Sequence, residues 1–141
     1  MKQRRPGRRP GPHYLMLALL AGCAAPAPRC AGLPGAPMLT AELYFGRTAG
    51  NTSIDDAAWR GFLADAITPR FPSGFTVLEG HGQWRSRETG RIGAEPSSVV
   101  VIVADPGTPT LAALAAIRAE YRQRFTQESV GLVLTDSCAS F

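Results

Sequence analysis

The chain has 141 residues, enough for one domain and little more. Its formal net charge of +4 invites a nucleic-acid partner, but the position of that charge argues against one. Lys2, Arg4, Arg5, Arg8 and Arg9 hold five of the 15 basic residues and no acid precedes Glu42; without residues 1–22, ten basic residues face eleven acids, a net of −1. Binding nucleic acid needs a basic surface that stays on the working protein.

The N-terminus has the parts of an export signal: a cationic stretch through His13, an apolar run Tyr14–Ala21, and Leu20-Ala21-Gly22-Cys23 at its end. Eight apolar residues are too few to span a bilayer, which takes about 20. The last four look like a lipobox, so residues 1–22 read as a signal peptide and Cys23 as the acylated first residue. The competing possibility is an ordinary secretory signal cut near Ala25, with Cys23 lost. Lipidation at Cys23 makes the membrane a partner through the anchor alone. Ala24 lacks the Asp that usually retains lipoproteins at the inner membrane. Resemblance to lipoprotein sorting therefore points to the outer membrane, facing the periplasm.

Residues 23–38 are rich in Ala, Pro and Gly and read as a flexible tether, with one domain over residues 39–141. A strand is expected at Ala41–Arg47. Ser53 is the expected N-cap of a helix reaching Ile67, and Thr68-Pro69 ends it. Phe75–Arg85 reads as a second strand and Ser86–Gly93 as a polar turn. Ser97–Ala104, with its β-branched run Val99–Val103, reads as a central strand. Thr108 caps a second helix through Gln127, followed by a strand at Glu128–Thr135. The order β-α-β-β-α-β predicts an α+β, ferredoxin-like fold: a four-stranded antiparallel sheet with two helices on one face. Strands Val99–Val103 and Val130–Leu134 are apolar at odd and even positions alike. The open face should then be covered by a second copy, an envelope protein partner or an apolar ligand, unless the tether and the tail ending in Phe141 cover it.

Export places Cys30 and Cys138 in an oxidising compartment. The last strand lies beside the first in such a fold, so the two thiols can meet, and a disulfide is expected over two unpaired thiols.

Leu43-Tyr44-Phe45-Gly46-Arg47, Trp59 with Phe62, Thr68-Pro69-Arg70-Phe71-Pro72, Gly82-Gln83-Trp84-Arg85, Glu95-Pro96-Ser97 and Gln127-Glu128-Ser129-Val130 together resemble domain of unknown function family 3574. The resemblance spans about residues 41–141. It implies small exported proteins, often lipoproteins, and supplies no activity, cofactor or catalytic residue.

Metal chemistry finds no support: His81 is the one histidine after the signal, and no His/Cys/Asp cluster has ligand spacing. No cofactor motif appears. Glu79, His81, Gln83 and Arg85 alternate on one strand face, where His81 could serve as a base and Arg85 hold an anion. A solvated edge strand with a glycine bulge explains the same pattern. Arg47 and Arg70 form a looser anion-binding pair, or each pairs with a local acid such as Asp65 or Glu128. Trp84 is a candidate stacking platform, or packs under the following turn. Two readings of function follow. One is a lipid-anchored binding module that uses the open sheet face. The other is a small periplasmic enzyme or ligand carrier with a pocket around His81, Gln83, Arg47 and Arg70.

Overall fold

A computed structural model describes residues 30–50, 52–87 and 89–141. The signal, the lipobox with Cys23 and residues 24–29 of the expected tether lie outside the described residues, while Ala36–Met38 of that tether belong to the first strand. Among the described residues no helix is long and apolar enough to cross a membrane.

The chain runs β1 (Ala36–Gly46), a two-residue hairpin β2 (Thr48–Ala49) and β3 (Thr52–Ser53), α1 (Asp56–Phe62) continuing as a wider π-helical turn over Leu63–Ile67, β4 (Thr76–Arg85), β5 (Ile92–Ala104), α2 (Thr108–Arg124) and β6 (Gly131–Ala139). The four long strands form one antiparallel sheet in the order β4-β5-β1-β6. This is the ferredoxin-like arrangement expected from the element order. The two central strands are the first and the β-branched one.

Alternation along β1 sorts its side chains. Leu39, Ala41, Leu43 and Phe45 are buried, while Thr40, Glu42 and Tyr44 point the other way. In register, Leu43 faces Val100 on one side and Leu132 on the other, so these share a face. Phe45 touches the rings of Trp59 and Phe62 on α1 and of Tyr121 on α2, at centroid distances of 5.3, 5.8 and 4.7 Å. Both helices therefore lie on the same side. Edge-to-face packing of this kind adds about 0.5–1.5 kcal/mol per pair beyond area burial.

Element ends differ from expectation where pairing or capping is non-local. β1 begins at Ala36, ahead of Leu39, because Ala36–Met38 pair with Ser137–Ala139, and β6 lengthens to match. The N-cap of α1 is Asp55, whose carboxylate accepts from Ala58 N at 2.8 Å; Ser53 is engaged in the hairpin with Thr48. α2 is capped by Gly107 at φ 151°, with no side-chain cap bond, rather than by Thr108. β4 pairs with β5 at every residue from Thr76 to Arg85, so its glycines mark no bulge.

Cys30 and Cys138 form a disulfide with Cα atoms 5.7 Å apart. Beside it Gly35 adopts φ 103°, and a Cβ there would lie 2.3 Å from the Ala139 carbonyl oxygen. Only glycine fits that approach. The bridge closes a loop with a sequence separation of 108. Reduction, or Cys30→Ser, should lower unfolding stability by up to about 5 kcal/mol by the loop-closure argument. Urea titration with and without reductant measures this.

Candidate functional site

Arg47 leaves the end of β1 and turns inward, 6% exposed. Its Nη1 donates to Ser98 Oγ at 3.1 Å, and its Nη2 donates to the Ile54 carbonyl at 3.0 Å and Asp56 Oδ1 at 3.1 Å. Glu79 Oε2 lies 3.7 Å from Nη1, and the guanidinium sits 5.0 Å from the Trp59 ring centroid. One side chain thus ties β1 to β4, β5, the segment entering α1, and α1 itself. Its geometry is that of a buried clamp: Nη1 and Nη2 are spent inside the protein, while the buried Nε has no hydrogen-bond partner among the described residues.

Arg70 stands at the other end of the sheet. It donates to the Ala66 carbonyl at 2.6 Å, pairs with Glu120 at 3.1 Å, and lines a depression with Met38, Val103 and Asp105. The expected anion-binding pair does not assemble, because β1 and β5 separate Arg47 from Arg70 along their whole length. The partners also differ from Asp65 and Glu128. Asp65 is held by Arg124 at 3.2 Å, and Glu128 accepts from Ser86 Oγ at 3.2 Å. His81 lies exposed opposite Pro96, and Arg85 Nε donates to Gly90 O at 3.0 Å across its own turn. The proposed pocket joining His81, Gln83, Arg47 and Arg70 is corrected accordingly.

Gln83 and Trp84 do line a cavity, of about 270 Å³, at the end of the sheet where β1 runs out. Tyr44, Glu95, Ser97 and Gly131 line it too, and register places them with Trp84 on the face the helices leave uncovered. The floor is built from absent side chains. A Cβ on Gly46 would lie 2.5 Å from Glu95 Oε1, and one on Gly131 would lie 3.1 Å from Tyr44 Cβ. Glycine at 46 therefore lets the Glu95 carboxylate rest across β1, and glycine at 131 lets the Tyr44 ring lie across β6.

Tyr121 fixes this floor from beneath: its hydroxyl donates to the Gly46 carbonyl at 2.6 Å. Burial raises the Tyr121 pKa far above its ordinary value, against the neighbouring Arg47, which lowers it; the Glu95 charge raises it further. That phenol is a permanent donor. Gln127 Nε2 donates to the Thr48 carbonyl and holds the hairpin against the loop leaving α2. On the cavity wall, the Tyr44 hydroxyl donates to Glu42 Oε2 at 2.5 Å, and that bond is the largest cause raising the Tyr44 pKa.

Glu95, Ser97, Tyr44 and the glycine floor escape a reading by local spacing, because strands distant in sequence bring them together. A signal was present all the same. Four of the motifs that mark the family resemblance, those around Tyr44-Gly46, Gly82-Trp84, Glu95-Ser97 and Gln127-Ser129, meet at this cavity. Of the other two, the one around Arg70 lines the depression at the opposite end, and Trp59 with Phe62 lies in the core.

Residues 40–141 match the family model described as Protein of unknown function (DUF3574), and the chain belongs to that family. None of the curated proteins matches it in sequence. Among solved structures it is similar to a phage SAM lyase in complex with S-methyl-5'-thioadenosine, with TM-score 0.59 and 19% identity over 72% of this chain and 82% of that one. The apo state of a phage SAM lyase gives TM-score 0.55 and 19% identity, covering 71% and 81%. CutA from Synechococcus elongatus gives TM-score 0.47 and 10% identity, covering 74% and 80%. At 19% identity the likeness to the two phage lyase structures shows the fold alone.

The two arginines should separate cleanly on mutation. Arg47→Met should cost about 2–4 kcal/mol, since it strips donors from a buried carbonyl and hydroxyl. Arg70→Met should cost less than about 1 kcal/mol, because its ion pair is partly solvated. Chemical denaturation of each variant measures the difference.

Proposed function

We propose that this family member is a lipid-anchored domain of the cell envelope, acylated at Cys23 and facing the periplasm from the outer membrane. We further infer that it is a binding module whose working surface is the uncovered sheet face. The observation that carries this reading is the cavity where four family motifs meet on that face. The face itself supports it. Tyr44, Leu78, Trp84 and Val133 are exposed there beside half-buried Val99, Val101 and Val103. Phe141 is 100% exposed and only borders this face, at a depression with Val101 and Val103 away from the cavity. Such a surface is characteristic of one that meets a partner or ligand.

The small molecule is proposed to sit between Tyr44 and Trp84. Because Cys30 is bridged to the sheet, the free tether from Cys23 is about seven residues, which would hold the domain close to the membrane. An enzymatic role is a second reading, favoured by Glu95: it borders open space and has no hydrogen-bond or ion-pair partner among the described residues. A carboxylate so placed is able to accept a proton from a bound substrate. The phage SAM lyase resembling this fold was solved with S-methyl-5'-thioadenosine, which makes that nucleoside a natural first probe.

Two measurements test the reading. Labelling cells with radioactive palmitate should mark the full chain and leave Cys23→Ser unmarked; an unlabelled wild type overturns the anchor. Amide NMR of the detergent-solubilised protein should show S-methyl-5'-thioadenosine shifting Gly46, Gly82 and Gly131. Trp84→Ala should weaken that response about tenfold, as expected for loss of a stacking ring worth about 1–1.5 kcal/mol. Arg70→Ala should leave it unchanged. A stable oligomer that buries Leu78 and Val101 would assign the face to a second copy instead.

A further inference from the structure

We propose that the cavity between Tyr44 and Trp84 selects a ring-bearing organic cation, with Glu95 as its counter-ion. This rests on that cavity being the ligand seat and names what it takes.

The charge balance is one-sided. Glu95 and Glu128 line the cavity, and no lysine or arginine does. Across the described part of the uncovered face the strands carry two charged residues, Glu42 and Glu95, both acidic. Of these carboxylates, Glu42 is engaged by the Tyr44 hydroxyl, and Glu128 by Ser86 Oγ and the Arg87 amide. Glu95 is half-buried and, among the described residues, takes no hydrogen bond or ion pair. The Glu95 carboxylate faces the cavity with no donor on it among the described residues, so an incoming cation meets an unspent negative charge while an anion meets repulsion.

The walls specify the rest of the ligand. Tyr44 and Trp84 are 42% and 41% exposed, unusual for rings that border a cavity unless something else covers them. Their faces carry negative quadrupole charge, so they attract a cation and stack against a ring with equal tolerance. The volume of about 270 Å³ equals the share of about nine waters, too large for a bare ion. It suits one ring with a short charged arm.

The position of the carboxylate is itself built. Because a Cβ at residue 46 would meet Glu95 Oε1 at 2.5 Å, Gly46→Ala must displace the carboxylate. The atom struck is the far end of a flexible side chain, so the fold can tolerate the change while the charge moves. Gly46 is thus a positioning residue for Glu95.

The test uses matched probes on the full chain in detergent, read by NMR shifts of Gly46, Gly82 and Gly131. Tyramine, tyrosol and 3-(4-hydroxyphenyl)propionate differ in charge on one ring; S-methyl-5'-thioadenosine and its S,S-dimethyl sulfonium differ in charge at sulfur by one methyl group. Each cation should bind about tenfold tighter than its neutral counterpart, and the propionate weakest of all. Glu95→Gln should reduce the cation's advantage to about twofold while leaving the neutral probes unchanged. Gly46→Ala should do the same with an unchanged urea midpoint. Equal or tighter binding of the neutral or anionic probes, or an amine preference that survives Glu95→Gln, overturns the charge assignment alone. If no probe of any charge moves those amides, the ligand seat itself is wrong.

Discussion

Everything in this domain hangs on the position of β1 between two antiparallel partners. Because β5 and β6 flank it, a β1 side chain has two destinations, and the strict two-residue period decides between them. Phe45 goes inward and becomes the point on which both helices converge. Tyr44, its neighbour, goes outward and becomes a cavity wall. Gly46 belongs to both sides at once: its carbonyl accepts the Tyr121 hydroxyl from below, and its bare Cα carries Glu95 above. A one-residue slip of β1 would exchange core and cavity wall together, so stability and site geometry are set by the same register.

The parts of the fold legible in sequence are those governed by local period. The β-branched run at Val99–Val103, the helical spacing from Trp59 to Ile67, and the line Leu114, Ile117 and Tyr121 all carry their environment in their own pattern. Ends are less legible, because they depend on partners. Ala36–Met38 look like linker until Ser137–Ala139 lie beside them. Ser53 looks like a cap until Thr48 claims it for a hairpin.

The site shows the same division. Arg47 and Arg70 each sit in a suggestive local context, yet their fates are set by which acids the fold supplies. Asp56 and Glu79 are 9 and 32 positions from Arg47, and Glu120 is 50 from Arg70. Glu95 is the reverse case. It has no suggestive neighbours in sequence; it faces Gly82 in register and lays its carboxylate over Gly46, which itself pairs with Ser97. The exposure of Trp84 was legible because a large ring on an edge strand beside glycines has few ways to be covered.

Under the anchoring and binding proposed above, the disulfide would have a mechanical consequence. Tension arriving along the linker enters at Cys30 and crosses covalently to Cys138 on β6 before it reaches the start of β1. The first strand is spared from being peeled away one rung at a time. Load is shared instead along the β1–β6 pairing, where rungs must shear together. A drag on whatever the domain grips would therefore strain the leash before it distorts the grip.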